Sequence, residues 1–191
     1  MKQIKSTTRY LVLIFLVALG CGYDEGEAPR ATGTLTVNGE TFDINFGYYG
    51  VQENPFDNNQ DYFFNFTNSA IEPDPTGGFR FVERNGNPAY AWGVDDITVE
   101  KAEDLSGSFS YTGEEGVPGL FDSMSYLIGE YNNAGDLVIA QPTGTVSLVR
   151  GSINIVLFEQ STGNLEITMQ GEYDNGDVFS GTFKGIVTEL E

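Results

Sequence analysis

The 191-residue chain carries 28 Asp and Glu against nine Lys and Arg, a net charge of −19, with one cysteine and no histidine. So acidic a surface repels nucleic acid and anionic headgroups, which excludes a phosphate-backbone partner. The missing histidine excludes a Ser-His-Asp triad and a His-ligated zinc, and a lone thiol cannot close an internal disulfide.

Lys2, Lys5 and Arg9 precede ten apolar residues, Tyr10 to Leu19, and Gly20 then abuts Cys21. Charged, apolar and small-residue regions in that order make a secretory signal, and the run is too short for a spanning helix of roughly 20 residues. Ala18-Leu19-Gly20-Cys21 resembles the lipobox of bacterial lipoproteins, though its Leu stands beside the Gly, where the commonest pattern has it two residues before. The resemblance implies lipidation of the Cys21 thiol, cleavage before it and acylation of the new amino group. Several acyl chains, at about 0.8 kcal/mol per buried CH₂, make a lasting membrane anchor. The alternative, an ordinary secretory peptide, leaves Cys21 a free thiol in an oxidising compartment.

The expected organisation is therefore a lipoprotein signal peptide over 1–20, a flexible acidic tether over 21–32 and one domain over 33–191. Without residues 1–20, six Lys and Arg face 28 Asp and Glu, a net charge of −22. Asp24, Glu25 and Glu27 in the tether resemble the surface-export signal of Bacteroidota-type lipoproteins. A solvated linker explains them almost as well.

From Gly33 the hydrophobic period is two. Leu35 and Val37, then Phe42, Ile44 and Phe46, flank the Asn38-Gly39 turn, which predicts a hairpin. Gly47 to Gln60 reads as a long loop. Tyr62, Phe64 and Phe66 form the next apolar face, with Phe63 on the reverse. In Ala89 to Val94 the large Tyr90, Trp92 and Val94 share one face and the small Ala89, Ala91 and Gly93 the other, a pattern that suggests close approach by backbone or ligand. Ile97 and Val99 read as a short strand, and Phe109 and Tyr111 as another.

Met124 to Tyr131 and Asp136 to Ala140 bracket a turn at Asn132-Asn133-Ala134-Gly135. The C-terminal third predicts strands over Thr145–Arg150, Ile153–Glu159, Leu165–Tyr173 and Val178–Phe183, with turns at Gly151, 161–164 and 174–177. In the third of these, Leu165, Ile167 and Met169 face in while Glu166, Thr168 and Gln170 face solvent. About ten strands and no ten-residue helical pattern predict an all-β domain, a single antiparallel β-sandwich or closed barrel.

The opening GTLTVNGETFDI and the closing GTVSLV and LEITMQGEYDNGDVFSGTFKG resemble a large group of uncharacterised Bacteroidota outer-membrane lipoproteins with an all-β domain. The resemblance implies fold and location and carries no chemistry.

Asp57, Asn59 and Asp61 place oxygen ligands at alternate positions, as in the first half of a calcium loop. The pattern is incomplete: Tyr62 stands where the loop wants Gly and Asn68 where it wants a bidentate Glu. An Asp/Asn run of this kind is also an ordinary turn. Tyr48, Tyr49, Tyr62, Tyr90 and Trp92 make a glycan-stacking platform if exposed and core if buried. Asp122-Ser123-Met124 resembles the short O-glycosylation signal of the same bacteria, with Ser123 as acceptor.

No phosphate-binding or dinucleotide-binding glycine motif is present, so no nucleotide cofactor is expected. A carboxylate pair is the one catalytic device left, and 28 acids give it no specificity. The expectation is a non-catalytic binding or structural module, glycan-binding or adhesive. It is held by membrane lipid through acylated Cys21, at the outer membrane and surface-exposed in preference to periplasmic, with a glycan or envelope protein as partner. The alternatives are a lipocalin-like barrel for a small apolar ligand and a carboxylate-dependent glycoside hydrolase.

Overall fold

The computed structural model describes residues 31–53, 59–73, 79–81, 88–101, 105–113, 117–132, 137–142 and 144–190. The signal peptide, Cys21 and most of the tether lie outside the described residues. So does Asp57.

Among the described residues the domain is all β. Its strands are β1 (Thr32–Val37), β2 (Glu40–Ile44), β3 (Phe46–Glu53), β4 (Gln60–Thr67), β5 (Ile71–Pro73), β6 (Phe79–Phe81), β7 (Pro88–Val99), β8 (Gly107–Tyr111), β9 (Leu120–Phe121), β10 (Ser123–Tyr131), β11 (Leu137–Gln141), β12 (Leu148–Glu159), β13 (Asn164–Tyr173) and β14 (Val178–Glu189). Twelve of them form one curled sheet in the order β11-β10-β7-β4-β3-β14-β13-β12-β8-β9, with β1 joining β14 to β2. The small β5–β6 pair stands apart.

The strand β14 carries the curl. One edge runs antiparallel to β13 from Val178 to Ile186. The other edge pairs first with β1, from Phe179 to Lys184, and then in parallel with β3, from Val187 to Glu189. Two layers thus share one strand, and the sheet folds over on itself as a half-barrel. The β9 end comes back against β7, where the Gly119 N–H donates to the Thr98 carbonyl at 2.9 Å. The sheet is mixed, because β8 and β9 are also parallel; the remaining pairings are antiparallel, as the period-two pattern predicts.

Trp92 lies between the layers with 1% of its surface exposed. Its indole stacks on Phe66 at 3.9 Å, and Phe66 meets Phe183 of β14 at 4.7 Å. The indole also lies against Gly181, where an added Cβ would come within 2.6 Å of Cε2. A second group, Tyr126, Tyr173 and Phe179, packs with ring centroids 4.8–5.5 Å apart. It sits beside Met124, whose sulfur occupies the space a Gly171 side chain would take. Each large apolar side chain so buried contributes about 1.5–3 kcal/mol.

The expected faces of β1, β4, β7 and β13 are those the structure buries: Leu35, Val37, Tyr62, Phe64, Phe66, Trp92, Val94, Leu165, Ile167 and Met169 are all core, with Tyr90 half-buried beside them. Three expectations change. The separate short strand read at Ile97 and Val99 is the end of β7, which runs unbroken from Pro88. The loop expected over Gly47–Gln60 begins with β3, whose Gly47-Tyr48-Tyr49-Gly50 is buried on both faces and so lacks the alternation that marks a half-buried strand. The turn expected at Gly151 is strand interior: Gly151 pairs with Gly171 inside β12, and its missing side chain makes room for Phe121 and Met124.

The contact between Trp92 and Gly181 is directly testable. Gly181→Val forces a branched side chain into the indole and destabilises the domain by about 1–3 kcal/mol. Ser180→Val, one residue away on the other face of β14, changes stability by less than about 0.5 kcal/mol. Denaturant titration followed by the emission of Trp92, the single tryptophan, measures both.

Candidate functional site

Once every second residue of β1, β14, β13, β12 and β8 turns into the core, the residues between them share the outer face. The register aligns them into two rows. Thr41, Thr36, Ser180, Gln170, Ser152 and Ser110 stand opposite one another from β2 across to β8. The parallel row is Asp43, Thr34, Thr182, Thr168, Asn154 and Ser108. Eleven of these twelve positions carry an uncharged hydroxyl or amide, and the single acid, Asp43, is at the β2 end.

Cross-strand hydrogen bonds order the array. Thr34 and Thr182 share one at 2.9 Å, and Thr36 and Thr41 another at 3.0 Å. The Ser108 hydroxyl donates to Asn154 Oδ1 at 3.0 Å, and Gln170 Nε2 donates to Ser152 Oγ at 3.0 Å. Such pairs stiffen a sheet by roughly 0.2–1 kcal/mol each. Beyond the rows, along the strands, stand two ion pairs: Lys184 Nζ with Glu166 Oε2 at 2.7 Å on one side, and Arg150 with Glu172 on the other.

This face is hollowed. A concavity of about 440 Å³ is lined by Ser108, Ser110, Asn154, Thr168, Gln170 and Thr182 among others. A neighbouring one of about 360 Å³ continues it toward Arg150, Glu172 and Val178. Ser152 and Gln170 line both.

One edge of the face is tied down by Asp177. Its carboxylate accepts from Asn38 Nδ2 at 2.8 Å, Asn175 Nδ2 at 2.8 Å and the Tyr126 hydroxyl at 3.0 Å. The β1–β2 turn, the β13–β14 turn and β10 are thereby joined at one group. Asn38 takes the turn conformation its sequence predicts, with φ 50°, followed by Gly39 at 90°. These donors, Asn38 and Asn175 ahead of Tyr126, hold the Asp177 carboxyl below its ordinary value of 3.8. Burial, and then the hydrogen bond to Asp177, push the Tyr126 phenol far above its own.

The sequence-expected site residues fall elsewhere. Tyr48, Tyr49, Tyr62 and Trp92 are buried, so they offer no open ring face and the aromatic platform is corrected to core. Tyr48 lies under the β5–β6 pair, its hydroxyl accepting from the Ile71 N–H at 3.0 Å. The Tyr49 hydroxyl donates to Glu189 Oε2 at 3.0 Å and Tyr62 to Gln60 Oε1 at 3.2 Å. Tyr90 is half-buried against Phe42, with ring centroids 4.4 Å apart. The small-residue face of β7 is occupied by protein, since a Gly93 side chain would meet Asn65 Oδ1.

Asp61 lies in extended β4 and accepts from the Thr98 hydroxyl at 2.6 Å. A calcium loop must coil around its ion, and from Gln60 onward this segment does not. Asn59 directly precedes that strand, and no cluster of three acidic or thiol ligands occurs among the described residues. Ser123 opens β10, half-buried and paired with Asp95. The polar rows were missed. Their trace in the sequence is Thr34-x-Thr36, Ser108-x-Ser110, Ser152-x-Asn154, Thr168-x-Gln170 and Ser180-x-Thr182, which reads strand by strand as a solvated face until the register joins it.

Comparison with known proteins finds no family model, no curated protein and no solved structure that matches this chain.

Because the Asp177 carboxyl is depressed in the folded state, its contribution is fully present above the unfolded value of 3.8 and is lost as pH falls through the folded value. Asp177→Asn is therefore less stable than wild type at neutral pH, by about 1 kcal/mol for the weakened hydrogen bonds. The two converge as pH falls below about 4. Urea midpoints between pH 2.5 and 7 measure the gap.

Proposed function

We propose that this chain is a lipid-anchored, non-catalytic binding module that takes up a glycan on the outer face of β14, β13, β12 and β8. The single observation that carries the reading is the hollowed array of uncharged hydroxyls and amides, in a chain whose mature net charge is −22. Sugars present hydroxyls that donate and accept at once, and Ser, Thr, Asn and Gln are the side chains that answer both ways without charge. The packing of Trp92 on Phe66 and of Phe66 on Phe183 between the layers supports binding on the outside over a lipocalin-like carrier that encloses its ligand. The lipobox-like Cys21 and the acidic tether behind it support attachment at the outer membrane with the domain facing the medium.

Affinity electrophoresis through gels containing neutral polysaccharides tests the binding face. Wild type is retarded by at least one of them, and Asn154→Ala/Gln170→Ala loses about tenfold or more in affinity, equivalent to about 1.4 kcal/mol. Unchanged Trp92 emission shows that the variant is folded. Equal retardation of variant and wild type moves the site off this face.

Location is tested on intact cells treated with protease. The domain is cleaved in wild type, and Cys21→Ala is no longer retained at the membrane. Complete protection until the outer membrane is opened overturns the surface reading.

A further inference from the structure

The two polar rows have a direction and a repeat. The lining of the 440 Å³ concavity crosses four strands but only two rows of outward side chains. Four strands cover about 14 Å at 4.8 Å per interval, whereas neighbouring rows are about 7 Å apart along a strand. The long axis of the hollow therefore runs across the strands. Extended through β1 to β2, the rows reach six strands, about 24 Å. At every strand the surface offers the same thing, a short neutral side chain able to donate and accept.

The ligand this selects is one that repeats at the same interval. The strand spacing of about 4.8 Å is close to the advance of one pyranose unit along an extended chain. A folded protein partner or a single small molecule meets a surface through one singular constellation of groups, which these rows do not provide. Charge narrows the class further. Arg150 and Lys184 are two of the six cations after Cys21, and each pairs with a glutamate, so among the described residues lining or flanking the hollow neither cation stands without a carboxylate beside it. The field of the whole domain also repels anions. We propose that the ligand is an uncharged, extended polysaccharide lying across the strands along the two rows, one sugar unit to each strand. The proposal rests on the glycan reading above and adds its charge, its orientation and its length.

The mode of holding follows from the side chains present. The hydroxyls and amides of the rows offer hydrogen bonds and no ring on which a sugar could stack. Each exchange of water for a sugar hydroxyl contributes little by itself. Affinity must therefore accumulate over successive units, and a single sugar binds poorly. The Ser108–Asn154 and Ser152–Gln170 bonds hold four of these side chains in place before the ligand arrives, which reduces the ordering cost at the centre of the hollow.

The test uses the full-length protein in detergent micelles. It is first screened against β-glucan, xylan, mannan, galactan and anionic polygalacturonate, then titrated by calorimetry with a one- to six-unit ladder of the best neutral binder. Affinity is expected to climb by at least about tenfold from dimer to pentamer and to rise again at the sixth unit. Ser108→Ala/Ser110→Ala at one end and Thr36→Ala/Thr41→Ala at the other are each expected to weaken pentamer binding by about three- to tenfold, with little effect on the dimer. These exposed or half-exposed substitutions leave the core intact, and Trp92 emission checks it.

Equal affinity for monomer and pentamer, with loss confined to Asn154 and Gln170 variants, overturns the row arrangement and leaves a glycan site of one sugar. Tighter binding to polygalacturonate than to every neutral chain overturns the charge assignment alone. Failure to bind any member of the panel overturns the glycan reading together with this proposal.

Discussion

The fold depends on the contact between Trp92 of β7 and the bare backbone of Gly181 in β14. The indole is the largest side chain in the core, and it lies against a residue of the facing strand that has no side chain. Phe66 stacks on it. A β-carbon at Gly181 would push the layers apart and with them the Phe66–Phe183 contact. Gly171 makes a similar allowance for Met124 of β10, and also for its own cross-strand neighbour Phe179. Interiors of near-crystalline packing density tolerate little deviation from such a match.

The outer face is a consequence of that packing. Because side chains alternate along a strand, burying Phe179, Gly181 and Phe183 obliges Ser180 and Thr182 to face away from the core. The same constraint acts on β8, β12 and β13. Hydrogen-bond register then brings the outward residues of six strands opposite one another. A one-residue slip in any strand would send its polar row inward and its apolar row to solvent, so the core that fixes the register also fixes the rows. The Asp177 carboxylate secures the same register from the edge, by holding both flanking turns and Tyr126 at once.

The aromatic residues show why composition alone misplaces a site. Tyr48, Tyr49, Tyr62, Tyr90 and Trp92 carry the features of a sugar-stacking surface, large rings with polar tips. In this chain their area is wholly or half buried, and the Tyr48, Tyr49 and Tyr62 phenols find internal partners. Burial raises the Tyr48, Tyr49 and Tyr62 phenols and keeps them neutral. Asp61 is a similar case. Its spacing from Asn59 suits a calcium loop, but an extended strand directs it to the Thr98 hydroxyl.

The all-β class, the hairpin at Asn38-Gly39, the inward faces of β4, β7 and β13 and the turns at 161–164 and 174–177 were legible in the sequence. Each is encoded locally, by a two-residue period or by residues that accept positive φ. The strand β3 and the continuous β12 were not legible, because Gly47-Tyr48-Tyr49-Gly50 is buried on both faces and Gly151 serves packing where glycine more often marks a turn. The parallel pairing of β3 with β14 joins residues about 140 positions apart, and no local pattern reports it. The rows from Thr41 to Ser110 and from Asp43 to Ser108 belong to the same class of information. The sequence by itself determined which side chains leave the core, through alternation along each strand. Only the tertiary structure decided which of them stand side by side, because register between distant strands is set by long-range packing around Trp92 and Gly181.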